Sequence, residues 1–291
     1  MRPTRRLVPF MFLSPALVFG IVFVIVPIGV ASYLTFTNFQ AFVPPRWVGF
    51  DNYIYLLTRD PFFFQTLRNT FVFALGAVAL LVSLALVIAY ALSTVRFKSF
   101  WRSVYWLPMV TNLVAVAFVW KFVLEDAYGL MNRALDLFGL PGPGWLTDPS
   151  FAMVSVILVF VWMNLGRSML LLSAGMEGID ESCLEAARID GAGSWDIFRR
   201  VTLPLLKPTL LFVIITNLFL SLGSSFPLML VLTEGGPAHS TTVTALYMYQ
   251  MAFAELRLGR ASAAAFLLAL VILPVTLLQL RLFRRGGMDP Y

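Results

Sequence analysis

Six long apolar runs dominate the sequence, at about residues 9–36, 69–93, 103–125, 151–174, 208–232 and 261–283. About 20 helical residues cross the hydrocarbon core of a bilayer, so each run has the length of a membrane span. The chain is 59% hydrophobic and only 12% charged, about half the charge of a soluble domain. The runs are continuous rather than alternating, which argues against a barrel and leaves helices as the way to satisfy the backbone in lipid. The expected fold is an all-α integral membrane protein with six transmembrane helices in a single domain over residues 1–291. Pro27, Pro108, Pro208 and Pro274 lie in or beside the runs and read as kinks or helix starts.

The first run follows Arg2, Arg5 and Arg6. It is longer than the apolar core of a cleaved signal peptide and is expected to be a retained span. Orientation comes from the Lys and Arg balance between the two sides. One side collects the N-terminal arginines, Arg96, Lys98, Arg102, Arg167, Arg188, Arg199, Arg200, Lys207, Arg281, Arg284 and Arg285. The other has Arg46, Arg59, Arg68, Lys121, Arg133, Arg257 and Arg260. Fourteen against seven makes the first side cytoplasmic and puts both termini inside. The net charge of +6 is scattered in this way and forms no nucleic-acid footprint. Residues 37–68 are rich in aromatics and suit the membrane interface.

Several kinds of chemistry are missing. The one cysteine, Cys183, permits no internal disulfide. The single histidine, His239, reads as a solvated loop residue and excludes an H-E-x-x-H zinc site. The apolar runs hold no Asp or Glu away from their ends, Glu125 lying at the outer end of the third. A proton-coupled carrier would need such a group. There is no G-x-x-x-x-G-K-[ST] loop for ATP and no nucleophile–base pair. Energy for active transport would have to come from another polypeptide. A stand-alone carrier or channel and a membrane enzyme are therefore the weaker readings.

The uncharged polar groups in the runs are more suggestive. Asn112, Asn164, Asn217, Ser221, Ser224 and Ser225 offer donors and acceptors at membrane depth. They read either as interhelical hydrogen bonds or as the wall of a pathway for a hydroxyl-rich solute.

One charged stretch interrupts the pattern between the fourth and fifth runs. "EAARIDGAGSWDIFRRVTLPLLKP", residues 185–208, carries seven charged side chains. Ser182 and Glu185 have capping-box spacing. Gly191 and Gly193 should end that first helix, and Ser194 should cap a second one running towards Pro204. Residue types alone leave a solvated loop and a docking element equally open.

The spacing of Glu185, Ala186, Ala187, Gly191, Val201, Leu203 and Pro204 resembles the E-A-A-x3-G-x9-[IV]-x-L-P signature of permease subunits of bacterial ABC importers. Asp190 before Gly191 resembles the form found in carbohydrate importers. "GFDNY" at 49–53, Asn69-Thr70, "GWLTDP" at 144–149, "LTEGGPAHST" at 232–241 and "GRASAAA" at 259–265 are similar to the first permease of the maltose and glycerol-3-phosphate class. The chain departs from that class at Arg260 and at Gly178-Ile179-Asp180. The resemblance implies a coupling segment at about 177–204 that docks in a cleft of a separate ATPase through Glu185, Ala186, Ala187, Asp190, Gly191, Leu203 and Pro204. It implies a second homologous permease, two ATPase copies that bind the ATP and Mg, an extracytoplasmic solute-binding protein, and a sugar, oligosaccharide or glycerophosphate solute. No cofactor is implied for this chain, and no catalysis.

Overall fold

The computed structural model describes residues 4–223 and 225–285. Among them there is no β-strand, only isolated bridges between Thr37 and Trp47 and between Gln40 and Val43. The helices are α1 (Thr4–Gly20), α2 (Val26–Leu34), α3 (Asp51–Thr58), α4 (Phe63–Ser93), α5 (Lys98–Val110), α6 (Leu113–Val123), α7 (Leu130–Asp136) and α8 (Pro149–Glu177). They continue as α9 (Glu181–Ile189), α10 (Ser194–Ile197), α11 (Leu203–Leu205), α12 (Lys207–Gly223), α13 (Phe226–Leu232), α14 (Thr244–Tyr249) and α15 (Leu258–Arg285). Four segments are long and apolar enough to cross a membrane: Phe12–Leu34, Phe63–Ser93, Pro149–Glu177 and Leu258–Gln279. Counted as one span each, two bent pairs among the described residues raise that number to six: Lys98–Val110 with Leu113–Val123, and Ser194–Leu205 with Lys207–Gly223.

Two of the expected spans are not single rods. The third breaks at Thr111–Asn112, where α5 and α6 meet at 98°. Thr111 is extended there, and the Asn112 side chain accepts from the amides of Val114 and Ala115. That is an N-cap, which starts a new helix by satisfying its first free N–H groups. The fifth ends at Gly223, and α13 resumes at Phe226 with Pro227 in its first turn. Pro27 follows a π-helical turn at Ile21–Ile25. Pro108 is near the end of α5, Pro208 is the second residue of α12 and Pro274 lies inside α15.

The chain forms two compact units, one of residues 1–63 with 247–271, the other of residues 64–246 with 272–291. In the first, Asn52 is buried and donates to the carbonyls of Thr35 (2.7 Å) and Thr37 (2.9 Å). Phe36 packs with Trp47, Phe50 and Tyr53. Arg260 lies 3.7 Å above the Tyr55 ring, a cation–π contact. The departure at Arg260 is thus absorbed by an aromatic partner within the same unit.

The second unit holds the main core. Phe73, Leu81, Val156, Phe160, Leu228, Met229 and Leu246 pack together around α8. A second cluster of Ala85, Ala89, Met169, Leu172, Leu206 and Val213 continues towards the charged stretch. The "LTEGGPAHST" segment is folded rather than loose. Asn69 donates to the carbonyls of His239 (2.8 Å) and Thr242 (3.0 Å). Thr70 and Thr244 share a 3.1 Å hydroxyl contact. His239 is half-buried there, its ring 3.2 Å from the Thr242 hydroxyl, so it is not a solvated loop residue.

Candidate functional site

Two groups of residues stand apart from simple packing. The first is the charged stretch. The carboxylate of Asp180 caps α9, accepting from the Ser182 amide at 2.9 Å. That hydrogen bond holds the Asp180 carboxyl below the ordinary aspartate range. The expected Ser182–Glu185 capping box does not form, because Asp180 starts the helix earlier. Ser194 is likewise the first residue of α10, with Gly193 at the cap position.

The turn between these helices explains its glycine. The Gly191 amide donates to Arg188 and the Ala192 amide donates to Ala187, with Gly191 at φ +82°. A left-handed residue after the last helical turn is the usual way to satisfy the final carbonyls, and glycine adopts it without strain. Beyond α10 the chain makes a π turn over Phe198–Thr202 and enters α11. Thr202 and Leu206 are buried, and the Tyr90 ring packs tilted against Phe198 at 4.6 Å. These contacts anchor the back of the segment to α4.

The front of the segment has no cover. Glu185, Ala186, Asp190 and Gly191 are exposed, Ala187, Val201 and Leu203 are half-buried, and Pro204 is exposed. Ile189 is 86% exposed and Trp195 69% exposed. Two large apolar side chains are therefore mostly exposed in the same helix pair as Glu185 and Asp190, Trp195 touching the Phe198 ring at 5.6 Å. Nearby, Glu177 accepts from Lys98 (3.0 Å) and Arg102 (2.7 Å), tying the start of α5 to the end of α8.

The second group surrounds Asn217 on α12. Asn217 is fully buried. Its amide nitrogen donates to the Ser168 hydroxyl (3.0 Å) and the Val213 carbonyl (2.8 Å). Its oxygen accepts from Arg167 at 2.8 Å. Ser221 donates back to Leu218, and Ser225 to the Ser221 carbonyl at 2.7 Å. Asn217, Ser221 and Ser225 thus line up along one buried side. Asn164 donates to Phe160 within α8, Asn112 is spent on its cap, and Ser224 lies outside the described residues.

Arg167 is the residue that the charge count misplaced. The count put it with the cytoplasmic side. It sits inside α8, ten residues before Glu177, about 15 Å along the axis from that end. Removing it leaves thirteen against seven, so the orientation argument keeps its sign. The signal was available: 167 falls within the apolar run at 151–174. Arg167 opens onto a groove of about 440 Å³ that it lines with Thr216, Phe219, Ile272, Thr276 and Gln279.

The arrangement suits a permease: membrane-length helices, a mostly apolar groove that one arginine lines, and a folded charged element between the fourth and fifth apolar runs. Residues 81–286 match the family of binding-protein-dependent transport system inner membrane components, and the chain belongs to that family. It is a permease subunit of a binding-protein-dependent ABC transporter of the cytoplasmic membrane. The osmoprotective compounds uptake permease GgtC of Synechocystis sp. is 34% identical over 280 residues, covering 94% of this chain and 98% of its own. The lactose transport system permease LacF of Rhizobium radiobacter is 33% identical over 278 residues, covering 92% and 91%. Among solved structures, a bacterial ABC transporter involved in the import of the acidic polysaccharide alginate superposes with a TM-score of 0.84 at 24% identity, over 97% of this chain and 96% of that one. At that identity the likeness speaks to the fold.

Proposed function

We propose that the chain forms one half of the translocation pathway of an ATP-driven importer for a sugar, oligosaccharide or glycerophosphate-type solute. A second, homologous permease supplies the other half. Two copies of an ATPase dock on the inner face, and an extracytoplasmic binding protein delivers the solute. The excess of basic residues on the side of the charged stretch supports a cytoplasmic position for it and for both termini. The relatives named for lactose and for osmoprotective compounds support the solute class.

The observation that carries this reading is the uncovered face of α9 and α10. Glu185 offers a charge-assisted contact to a basic group in an ATPase cleft. Ala186 and Ala187 allow close approach, Asp190 and Gly191 shape the turn, and Leu203 and Pro204 lead the chain back to the membrane. Closure of the ATPase dimer would push this segment and switch the spans between inward and outward access. ATP and Mg belong to the partner; this chain performs no catalysis. Of the pathway residues expected from the sequence, Asn112, Asn164, Asn217, Ser221, Ser224 and Ser225, Asn217 takes an indirect part, orienting the Arg167 guanidinium that lines the groove.

Gentle extraction of the tagged chain from its native membrane tests the assembly. A second permease and an ATPase should copurify. Glu185→Lys should leave the chain in the membrane while it uncouples ATP hydrolysis from uptake. Normal uptake by that variant, or recovery of the chain alone, would refute the docking reading.

A further inference from the structure

Arg167 poses a question that the importer reading leaves open. Its guanidinium stays charged under all physiological conditions, and a charged side chain within a span is expensive and marks a functional site by default. Such groups are normally paired. Yet none of the ion pairs among the described residues involves Arg167. Its partner is the neutral amide oxygen of Asn217, and its Nε is buried without a hydrogen-bond partner.

The surroundings hold this cation in place rather than neutralise it. Asn217 is locked by its own two donations, to Ser168 and Val213, so its oxygen faces Arg167 in a fixed orientation. This is outer-shell support of the kind that orients a binding group. The groove beyond is mostly apolar, with Phe219 and Ile272 in its wall and a few polar groups among them. That profile, apolar walls with sparse convergent polar groups, is typical of a small-molecule site. The hydroxyl protons of Thr216 and Thr276 go to backbone carbonyls, at 2.9 Å to Phe212 and 3.1 Å to Ile272. Their lone pairs therefore remain to accept from a solute hydroxyl. The groove offers acceptors for hydroxyl groups and one unneutralised cation.

We propose that Arg167 makes this pathway selective for a hydroxylated solute that carries an anionic group, a carboxylate or a phosphate ester. The proposal rests on the reading of the groove as part of the solute pathway. A neutral sugar needs no guanidinium, because amides and hydroxyls satisfy it. An anion passing through the groove completes the pairing that the chain itself does not provide, and the fork of N–H donors matches both carboxylate and phosphate.

The test uses the whole importer in proteoliposomes, with both permeases, the ATPase and the binding protein. Uptake is measured for matched probes: a galacturonate disaccharide against the neutral galactose disaccharide, and sn-glycerol 3-phosphate against glycerol. The expected result is ATP-dependent uptake of an anionic member over its neutral partner, the two pairs separating carboxylate from phosphate. Arg167→Gln should lower anion uptake by about 10- to 100-fold, in line with the loss of a charged hydrogen bond. Arg167→Lys should retain part of it. Equal or better uptake of the neutral member, or unchanged anion uptake by Arg167→Gln, overturns the proposal and spares the importer reading. Wild-type uptake that ignores ATP sinks the importer reading itself.

Discussion

Gly166, beside Arg167, is where the backbone of α8 comes close to that of α5. A methyl group at Gly166 would sit 2.6 Å from the carbonyl carbon of Tyr105 and 2.9 Å from the Cα of Trp106, with the Tyr105 carbonyl oxygen nearer still. Carbon atoms prefer separations of about 3.5–4.0 Å, so Gly166→Ala has to part the two backbones by about 1 Å. The obstacle is main chain, which cannot swing aside as a side-chain tip can. Overpacking of this kind costs about 1–3 kcal/mol. Alanine recovers about 0.5–1 kcal/mol through its better helix propensity, so overpacking outweighs propensity over most of that range and the expected change is a net loss of roughly 1 kcal/mol. The assay is the thermal unfolding midpoint of the purified permease complex in lipid nanodiscs. Gly166→Ala should lower it and Gly166→Val should lower it further. Gly20→Ala is the control, because a methyl there meets open space. Wild-type midpoints for both Gly166 variants would refute the close approach of α5 to α8.

Asn217→Ala should destabilise the complex by about 1–3 kcal/mol, because it strips a half-buried arginine of its acceptor; a double-mutant cycle with Arg167→Gln checks this, and strictly additive losses would count against the contact. Tyr247 should stay protonated at pH values where exposed tyrosines ionise, since burial and then its 2.7 Å bond to Asp60 push its hydroxyl well above the ordinary phenol range. Stability from Tyr247 is complete below about pH 10, its ordinary value, and falls as pH rises beyond that point; the phenolate absorbance of wild type minus Tyr247→Phe shows whether this group titrates late, and ionisation near pH 10 would contradict it.

Membrane spans were legible because lipid imposes one crude requirement, length without charge. The charged stretch was legible for the opposite reason: its composition excludes it from lipid, and the spacing from Glu185 to Pro204 is uncommon. Local starts and stops were harder to read. Asn112 lies between two apolar stretches, so hydropathy runs straight across a break that its side chain creates by capping Val114 and Ala115. Ser182 and Glu185 satisfied the capping pattern, but Asp180 is the better acceptor and lies two residues earlier. Arg167 was counted with the cytoplasmic side because a sum of charges ignores depth. Once α8 extends to Glu177, the same residue becomes a cation at membrane depth.

The polar residues of the fifth run show a deeper limit. Asn217 and Ser221 are one helical turn apart, which sequence can state. That Asn217 faces Arg167 and Ser168 depends on how α8 and α12 are rotated, and no spacing within either helix contains that rotation. The consequence reaches function. Read as separate residues, the asparagines and serines suggest a neutral, hydroxyl-binding wall. Joined across two helices, Asn217 is fully occupied in orienting a cation, and Ser221 and Ser225 are bonded to backbone carbonyls. The guanidinium faces the groove beside the hydroxyls of Thr216 and Thr276, so charge on the solute, and not only its hydroxyl groups, is what this wall is built to read.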